Sequence, residues 1–234
     1  MRIAGITRVR NEEKIIRETL DHFSRWVDAI YVFDDASTDH TADICKNHSF
    51  VRSMIKNKKW AKDRLRAEFE TRQAVLKLAR NDNPDYILYF DADERIDWNF
   101  LGYEDYEGVK MRLFDFYITE EDEHKPYYKR QWLGPEFREI TILFKNRPEY
   151  NYTNPDQREI LVKKPILRAG YVKHYGKAIS VEEWERTCVY YTKYFPEPYK
   201  SKWEKRKGKA IHSLSDFNRP LIKWADKDKF GIPI

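Results

Sequence analysis

The run Tyr86-Ile87-Leu88-Tyr89-Phe90, followed at once by Asp91-Ala92-Asp93-Glu94, constrains this chain more than any other segment. An apolar stretch without polar alternation suits a strand buried on both faces, as in a parallel sheet covered by helices. Its abrupt end in carboxylates puts acid where such sheets bind ligands, beyond the carboxyl ends of the strands. If the extended geometry persists, Asp91 and Asp93 point to one side with alpha carbons roughly 6–7 Å apart. Two hard oxygen ligands of this kind suit Mg²⁺ or Mn²⁺, which are commonly held by one or two carboxylates plus substrate phosphates.

The residues before this run alternate strand-like and helix-like patterns. Ile3 to Val9 reads as a first strand, with Asn11 as the N-cap of a following helix and Glu12 and Glu13 in its positive first turn. Ile16, Leu20, Phe23 and Val27 form the apolar stripe of that helix. Ala29 to Phe33 reads as a second strand ending at Asp34 and Asp35, and Ser37-Thr38-Asp39 opens another helix. Phe50 to Ile55 reads as a third strand, and Asp63 to Ala79 as a long half-buried helix. The pattern predicts an α/β fold, a Rossmann-type mixed and mostly parallel sheet flanked by helices.

Beyond Asp97 the alternation loosens. Gly108 to Ile118, Glu139 to Lys145, Ile160 to Leu167 and Tyr171 to His174 are strand-like, and Val181 to Phe195 is helical until Pro196-Glu197-Pro198 ends it. We expect one domain over residues 1–195, with halves 1–95 and 96–195, and a tail over 196–234 that holds Trp203, Trp224 and the basic run Lys202 to Lys209.

The 44 Lys and Arg exceed the 39 Asp and Glu, for a formal net charge of +5. That surplus is mild and spread along the chain, so it attracts phosphorylated ligands without marking a nucleic-acid binder. The start, Met1-Arg2-Ile3-Ala4-Gly5-Ile6, turns polar too soon for a secretion signal, and no stretch reaches membrane-spanning length. Cys45 and Cys188 sit far apart within helix-like patterns, as buried thiols do. A cytoplasmic location is the resulting expectation.

Four features fall in order at strand ends: Thr7-Arg8-Val9-Arg10-Asn11-Glu12, Asp34-Asp35-Ala36-Ser37-Thr38-Asp39, Asp91-Ala92-Asp93 and His174-Tyr175-Gly176-Lys177. Together they resemble the family 2 glycosyltransferases of the GT-A fold. The resemblance covers residues 1 to 95 well. It continues more weakly to about residue 195, where Leu143-Phe144-Lys145, Asp156-Gln157-Arg158-Glu159 and Val172-Lys173-His174 echo a lipopolysaccharide-type branch. It implies transfer of a sugar from a nucleotide diphosphate, UDP being favoured, to a glycan or lipid-linked acceptor, with Mn²⁺ or Mg²⁺ stabilising the leaving phosphates. Residues 1–95 become the nucleotide-binding half and 96–195 the acceptor side.

By the same resemblance Asp93 is the direct metal ligand. Asp91 lies nearer the ribose or binds the ion through water, and His174 completes the shell. Thr7, Arg8, Asn11, Asp34, Asp35, Arg72, Asp91, Ala92 and Lys177 become the nucleotide-sugar contacts, with Asp34 or Asp35 accepting from the base and Lys177 meeting a phosphate. Glu94 is expected behind the metal ligands or facing solvent. Inverting transfer needs a carboxylate to take the acceptor proton. Glu159 and Asp156 are the candidates, Glu159 first, although Gln157-Arg158 stands where a His often precedes the Glu. Arg158 itself reads equally well as a surface ion-pair partner.

Three rivals share some of these features. A sugar nucleotidyltransferase would need a Gly-rich phosphate loop after the first strand, where Thr7-Arg8-Val9-Arg10 stands. A phosphatase or phosphomutase with an Asp nucleophile places Asp-x-Asp after an early strand and follows it with Thr or Val, not Glu94-Arg95. A non-catalytic RNA or polysaccharide binder would exploit the basic balance and the many Tyr and Trp residues.

Overall fold

A computed structural model of the chain describes all residues except 62, 100, 156 and 157. The elements are β1 (Ile3–Val9), α1 (Ile16–Phe23), β2 (Ala29–Asp34), α2 (Thr41–Lys46), β3 (Val51–Lys56), α3 (Arg64–Arg80), β4 (Tyr86–Tyr89), β5 (Glu94–Asp97), β6 (Gly108–Phe116) and β7 (Trp132–Lys145). There follow β8 (Ile166–His174), α4 (Val181–Tyr194), α5 (Tyr199–Glu204), β9 (Ile222–Lys223), α6 (Lys227–Phe230) and β10 (Ile232–Pro233). The chain divides into two compact units, Met1–Met111 with Ile140–Gly170, and Arg112–Glu139 with Tyr171–Ile234.

The first unit is an α/β layer in which β3, β2, β1 and β4 lie side by side in that order, with the C-terminal part of β7 beside β4. β1 runs parallel to β2 and to β4, and β2 parallel to β3, whereas β4 meets β7 antiparallel. Ala4 and Ile6 of β1, Tyr31 and Phe33 of β2, and Ile87 and Tyr89 of β4 share one face and bury it against Val75, Leu76 and Ala79 of α3. Alternation carries each row one step further, to Arg8, Asp35 and Asp91, so charge succeeds core on the same face just where the strands end. On the other face Phe23 of α1 stacks on Phe90 with ring centroids 3.8 Å apart. Asp63 caps α3 by accepting the Arg66 N–H at 3.2 Å, close to the expected helix start.

Three local expectations change. Asn11 does not cap α1, which begins after Ile15; it takes φ +54° and its side-chain oxygen accepts the Thr38 N–H at 2.8 Å. Ser37 Oγ accepts the Asn11 N–H in return at 3.0 Å, and Thr41 Oγ1 accepts the Glu12 N–H at 2.7 Å. The loops after β1 and β2 therefore hold each other, a tertiary use of side chains that local capping rules do not foresee. Residues 160–165 form no strand, and β8 starts only at Ile166. Residues 92 and 93 form a turn, because the Glu94 N–H closes on the Asp91 carbonyl at 3.2 Å, so Asp91 and Asp93 do not share a strand face.

In the second unit β9 and β10 both pair with β7. Ser180 caps α4 by accepting the Glu183 N–H at 3.2 Å, with Glu182 and Glu183 in the first turn. Trp184 and Cys188 of α4 are buried with Trp203 of α5, on which Tyr191 stacks at 4.6 Å. Cys45 and Cys188 are both buried and unbonded. Among the described residues no helix is long and apolar enough to cross a membrane.

Candidate functional site

The charged rows at the ends of β1, β2 and β4 interlock with two arginines and a glutamate from α3. Asp35 is fully buried and pairs with Arg64 at 2.7 Å, with Arg8 at 3.6 Å and with the Asn57 amide at 3.2 Å. Arg8 and Arg72 share Glu68, each at 3.3 Å, and Arg72 Nε donates to the Tyr89 hydroxyl at 3.4 Å. Tyr89 donates in turn to Asp91 Oδ1 at 2.6 Å. The α3 spacing makes this possible, because residues 64, 68 and 72 recur every four positions and so lie on one helix face.

Arg158 closes the cluster. Its Nη2 lies 3.0 Å from Asp91 Oδ2 and also meets Glu94 Oε1, while Nε donates to Asp91 Oδ2 at 3.3 Å. Glu94 is fully buried, and its Oε2 accepts the Asp91 N–H at 3.1 Å. The solvent-facing alternative for Glu94 is thereby excluded, and Arg158 is no surface ion pair. Burial would raise the Asp91 carboxyl, but Arg158, then Arg72, the Tyr89 hydroxyl and Arg8 hold it well below the usual carboxylate range. Burial likewise pushes the Tyr89 hydroxyl up, with the Asp91 charge adding to the rise. Ala92 sits in the turn with its carbonyl accepting from Thr19 Oγ1 and, at 3.1 Å, from Arg95. α1 thus pins the turn from the opposite face.

Not every expected contact joins this cluster. Thr7 and Asp34 are fully buried on the opposite face of the sheet, because alternation turns them away from Arg8 and Asp35. Thr7 Oγ1 and Asp34 Oδ2 find no hydrogen-bond partner among the described residues. Asn11 holds the loop described above. Glu159 Oε2 accepts the Thr141 N–H at 2.6 Å and lies 4.0 Å from Lys110 Nζ. Asp156 lies outside the described residues.

His174 and Lys177 belong to the second unit, in a network of their own. His174 Nδ1 lies 2.5 Å from Asp115 Oδ1, and Lys177 Nζ lies 2.6 Å from Asp115 Oδ2 and 2.9 Å from Asp216. Burial would lower the Lys177 ammonium, but Asp115, Tyr117 and Asp216 keep it above its ordinary value.

At Asp91 the surroundings are those of a carboxylate holding a guanidinium and a tyrosine hydroxyl. Arg158 meets one Asp91 oxygen and Tyr89 the other, and His174 turns Nδ1 to Asp115. Among the described residues no group of three or more His, Cys, Asp or Glu is gathered as a metal cage. Sequence reasoning missed Tyr89, Arg64 and Glu68 as members of the site. The four-residue spacing of Arg64, Glu68 and Arg72 was the signal that would have found two of them.

These rows of charge at the ends of parallel strands have a counterpart among known families. Residues 6–102 match the family model for glycosyl transferase family 2. The match includes β1, β2, α3, β4 and the Asp91–Asp93 turn, and supports a family 2 glycosyltransferase. Two proteins of uncharacterised function, from Mycobacterium tuberculosis and Mycobacterium bovis, are each 33% identical over 99 residues, 40% of this chain. The chain spans 23% of the length of these curated relatives. Among solved structures, glucosyl-3-phosphoglycerate synthase from M. tuberculosis, in complex with Mn²⁺, UDP and phosphoglyceric acid, overlaps 53% of this chain and 46% of its own. The identity is 19% and the TM-score 0.34. A protein from Desulfovibrio desulfuricans described as a nucleotide-diphospho-sugar transferase overlaps 88% of this chain and 96% of its own, at 10% identity and TM-score 0.40. At TM-scores this low neither overlap bears on the activity of this chain.

Proposed function

We propose that the first unit is the donor half of an inverting glycosyltransferase that uses a nucleotide-diphosphate sugar, UDP-linked by preference, and a hydroxyl acceptor on a glycan or lipid carrier. The observation that supports this most is the convergence of Arg8, Arg72 and Arg158 on the Asp91 turn, at the strand ends of a segment that matches family 2. Guanidinium groups bind phosphate oxygens through planar, paired N–H donors, which suits a diphosphate leaving group. Asp35 can accept from the imide N–H of a pyrimidine while keeping Arg64 and Asn57, since each carboxylate oxygen carries two lone pairs.

In this reading the acceptor oxygen attacks the anomeric carbon on the side away from the diphosphate. The anomeric C–O bond breaks, its electrons go to the diphosphate, and the acceptor proton goes to Glu159. The Thr141 N–H holds Glu159 in place for that task. The test is a panel of UDP-, GDP- and dTDP-sugars scored for nucleoside diphosphate release, with and without acceptor. Release from one nucleotide class is expected. No release from any of them, together with no nucleotide binding, contradicts the reading.

A further inference from the structure

Of the two carboxylates between which a divalent ion would be sought, Asp91 already carries a cation supplied by the chain. Arg158 is held in a bracket of two acids: Asp91 on one side, at 3.0 Å, and the fully buried Glu94 on the other. Tyr89 fixes the remaining Asp91 oxygen at 2.6 Å. An ion reaching Asp91 would have to share the carboxylate with this guanidinium and sit beside Arg8 and Arg72, which α3 holds in place through Glu68. The cluster also has donors to spare. Among the described residues the buried Arg8 Nε has no acceptor, and Arg158 uses only Nε and Nη2. Unused donors on a half-buried arginine cluster are available to an anion.

We infer that Arg158 takes the place of the divalent ion at Asp91, so that Arg158, Arg8 and Arg72 neutralise the donor's diphosphate and donor binding needs no divalent cation. This rests on the donor site of the functional reading above. It is also specific to this chain, since Arg158 stands at the position where its sequence departs from the pattern it otherwise resembles. A guanidinium is permanently charged and weakly hydrated, and it presents its donors in a fixed fork. It can therefore do electrostatically what the ion does, without entering or leaving with the substrate.

The experiment is calorimetric titration of the whole chain with UDP, in EDTA and in saturating Mn²⁺, for the wild type, Arg158→Gln and Arg158→Lys. The wild-type Kd is expected to differ by less than about threefold between the two conditions, and Arg158→Gln to lose about tenfold or more in EDTA and recover in Mn²⁺. Arg158→Lys, which keeps the charge against Glu94 and guards against a simple folding defect, is expected to remain indifferent to Mn²⁺. A wild type that binds UDP only with Mn²⁺, or an Arg158→Gln variant that binds as the wild type does in EDTA, overturns the inference and leaves the donor site standing. Absence of UDP binding by the wild type in both conditions overturns the functional reading and the inference with it.

Discussion

Arg158 Nη2 stands 3.0 Å from Asp91 Oδ2, joining two residues 67 positions apart in sequence at the end of the central strand β4. The contact ties residues 158–159, and with them the candidate base Glu159, to the turn after β4.

The stability of this junction is measurable. Arg158→Ala removes the guanidinium that Asp91 and the fully buried Glu94 share, and should lower unfolding free energy by about 1–3 kcal/mol. Adding Glu94→Gln to that variant should return part of the loss. Urea unfolding of the single and double variants checks both; equal stability of wild type and Arg158→Ala would contradict it.

Asp35 and Arg64 form a tighter pair, with side chains 0% and 1% exposed and 2.7 Å apart. Arg64→Ala removes the nearer guanidinium partner of the buried Asp35 carboxylate, leaving Arg8 at 3.6 Å, and should cost about 1–3 kcal/mol. A thermal midpoint within a degree or so of wild type would show that the pair is not needed.

Glu107 should govern acid sensitivity of the first unit. Arg147 at 2.8 Å, the Tyr150 hydroxyl at 3.0 Å and Lys145 at 3.3 Å hold its carboxyl at about 2, below the ordinary 4.5. A depressed carboxyl contributes its stability in full above about 4.5 and loses it as pH falls towards 2. Stability of the wild type should therefore drop through that window, and Glu107→Gln should flatten the drop. Superimposable acid profiles of the two proteins would refute the assignment.

Gly170 takes φ +78°, and a Cβ there would lie 2.6 Å from Trp98 Cβ. Gly170→Ala meets both backbone strain and a clash with atoms that cannot swing away, so it should cost about 1–3 kcal/mol. Calorimetric melting would register this, and an unchanged midpoint would show that the turn relaxes freely.

Glu159→Gln separates chemistry from binding. Loss of the proton acceptor should reduce transfer by about 10²–10⁴-fold while UDP affinity stays within about twofold. Full transfer by the variant would move the base elsewhere.

Much of the fold was legible because its cause is local. The apolar runs Ile3 to Val9, Ala29 to Phe33 and Tyr86 to Phe90 are buried on both faces, and Asp63 is an ordinary helix cap. That Arg8, Asp35 and Asp91 fall at neighbouring strand ends was legible because each follows an apolar run; Arg72, on α3, was named through the resemblance. What escaped was tertiary. Asn11 looks like a cap until the Ser37–Thr38 loop is placed beside it. Asp91 and Asp93 look like a pair on one face until the 91–94 turn forms. The role of Arg158 depends on a contact with Glu94 across 64 residues that no spacing rule contains. His174 and Lys177 looked like site residues because polar groups follow a strand there, yet Asp115 and Asp216 are the partners they meet.

The account as a whole depends on a nucleotide diphosphate lying against the arginine cluster at the ends of β1, β2 and β4. A crystal of the chain grown with UDP tests this most directly. The predicted result is a diphosphate within hydrogen-bonding distance of Arg8, Arg72 or Arg158, with the base on the Asp35 side. Electron density for UDP at any other place on the chain, or none at saturating concentration, would contradict it.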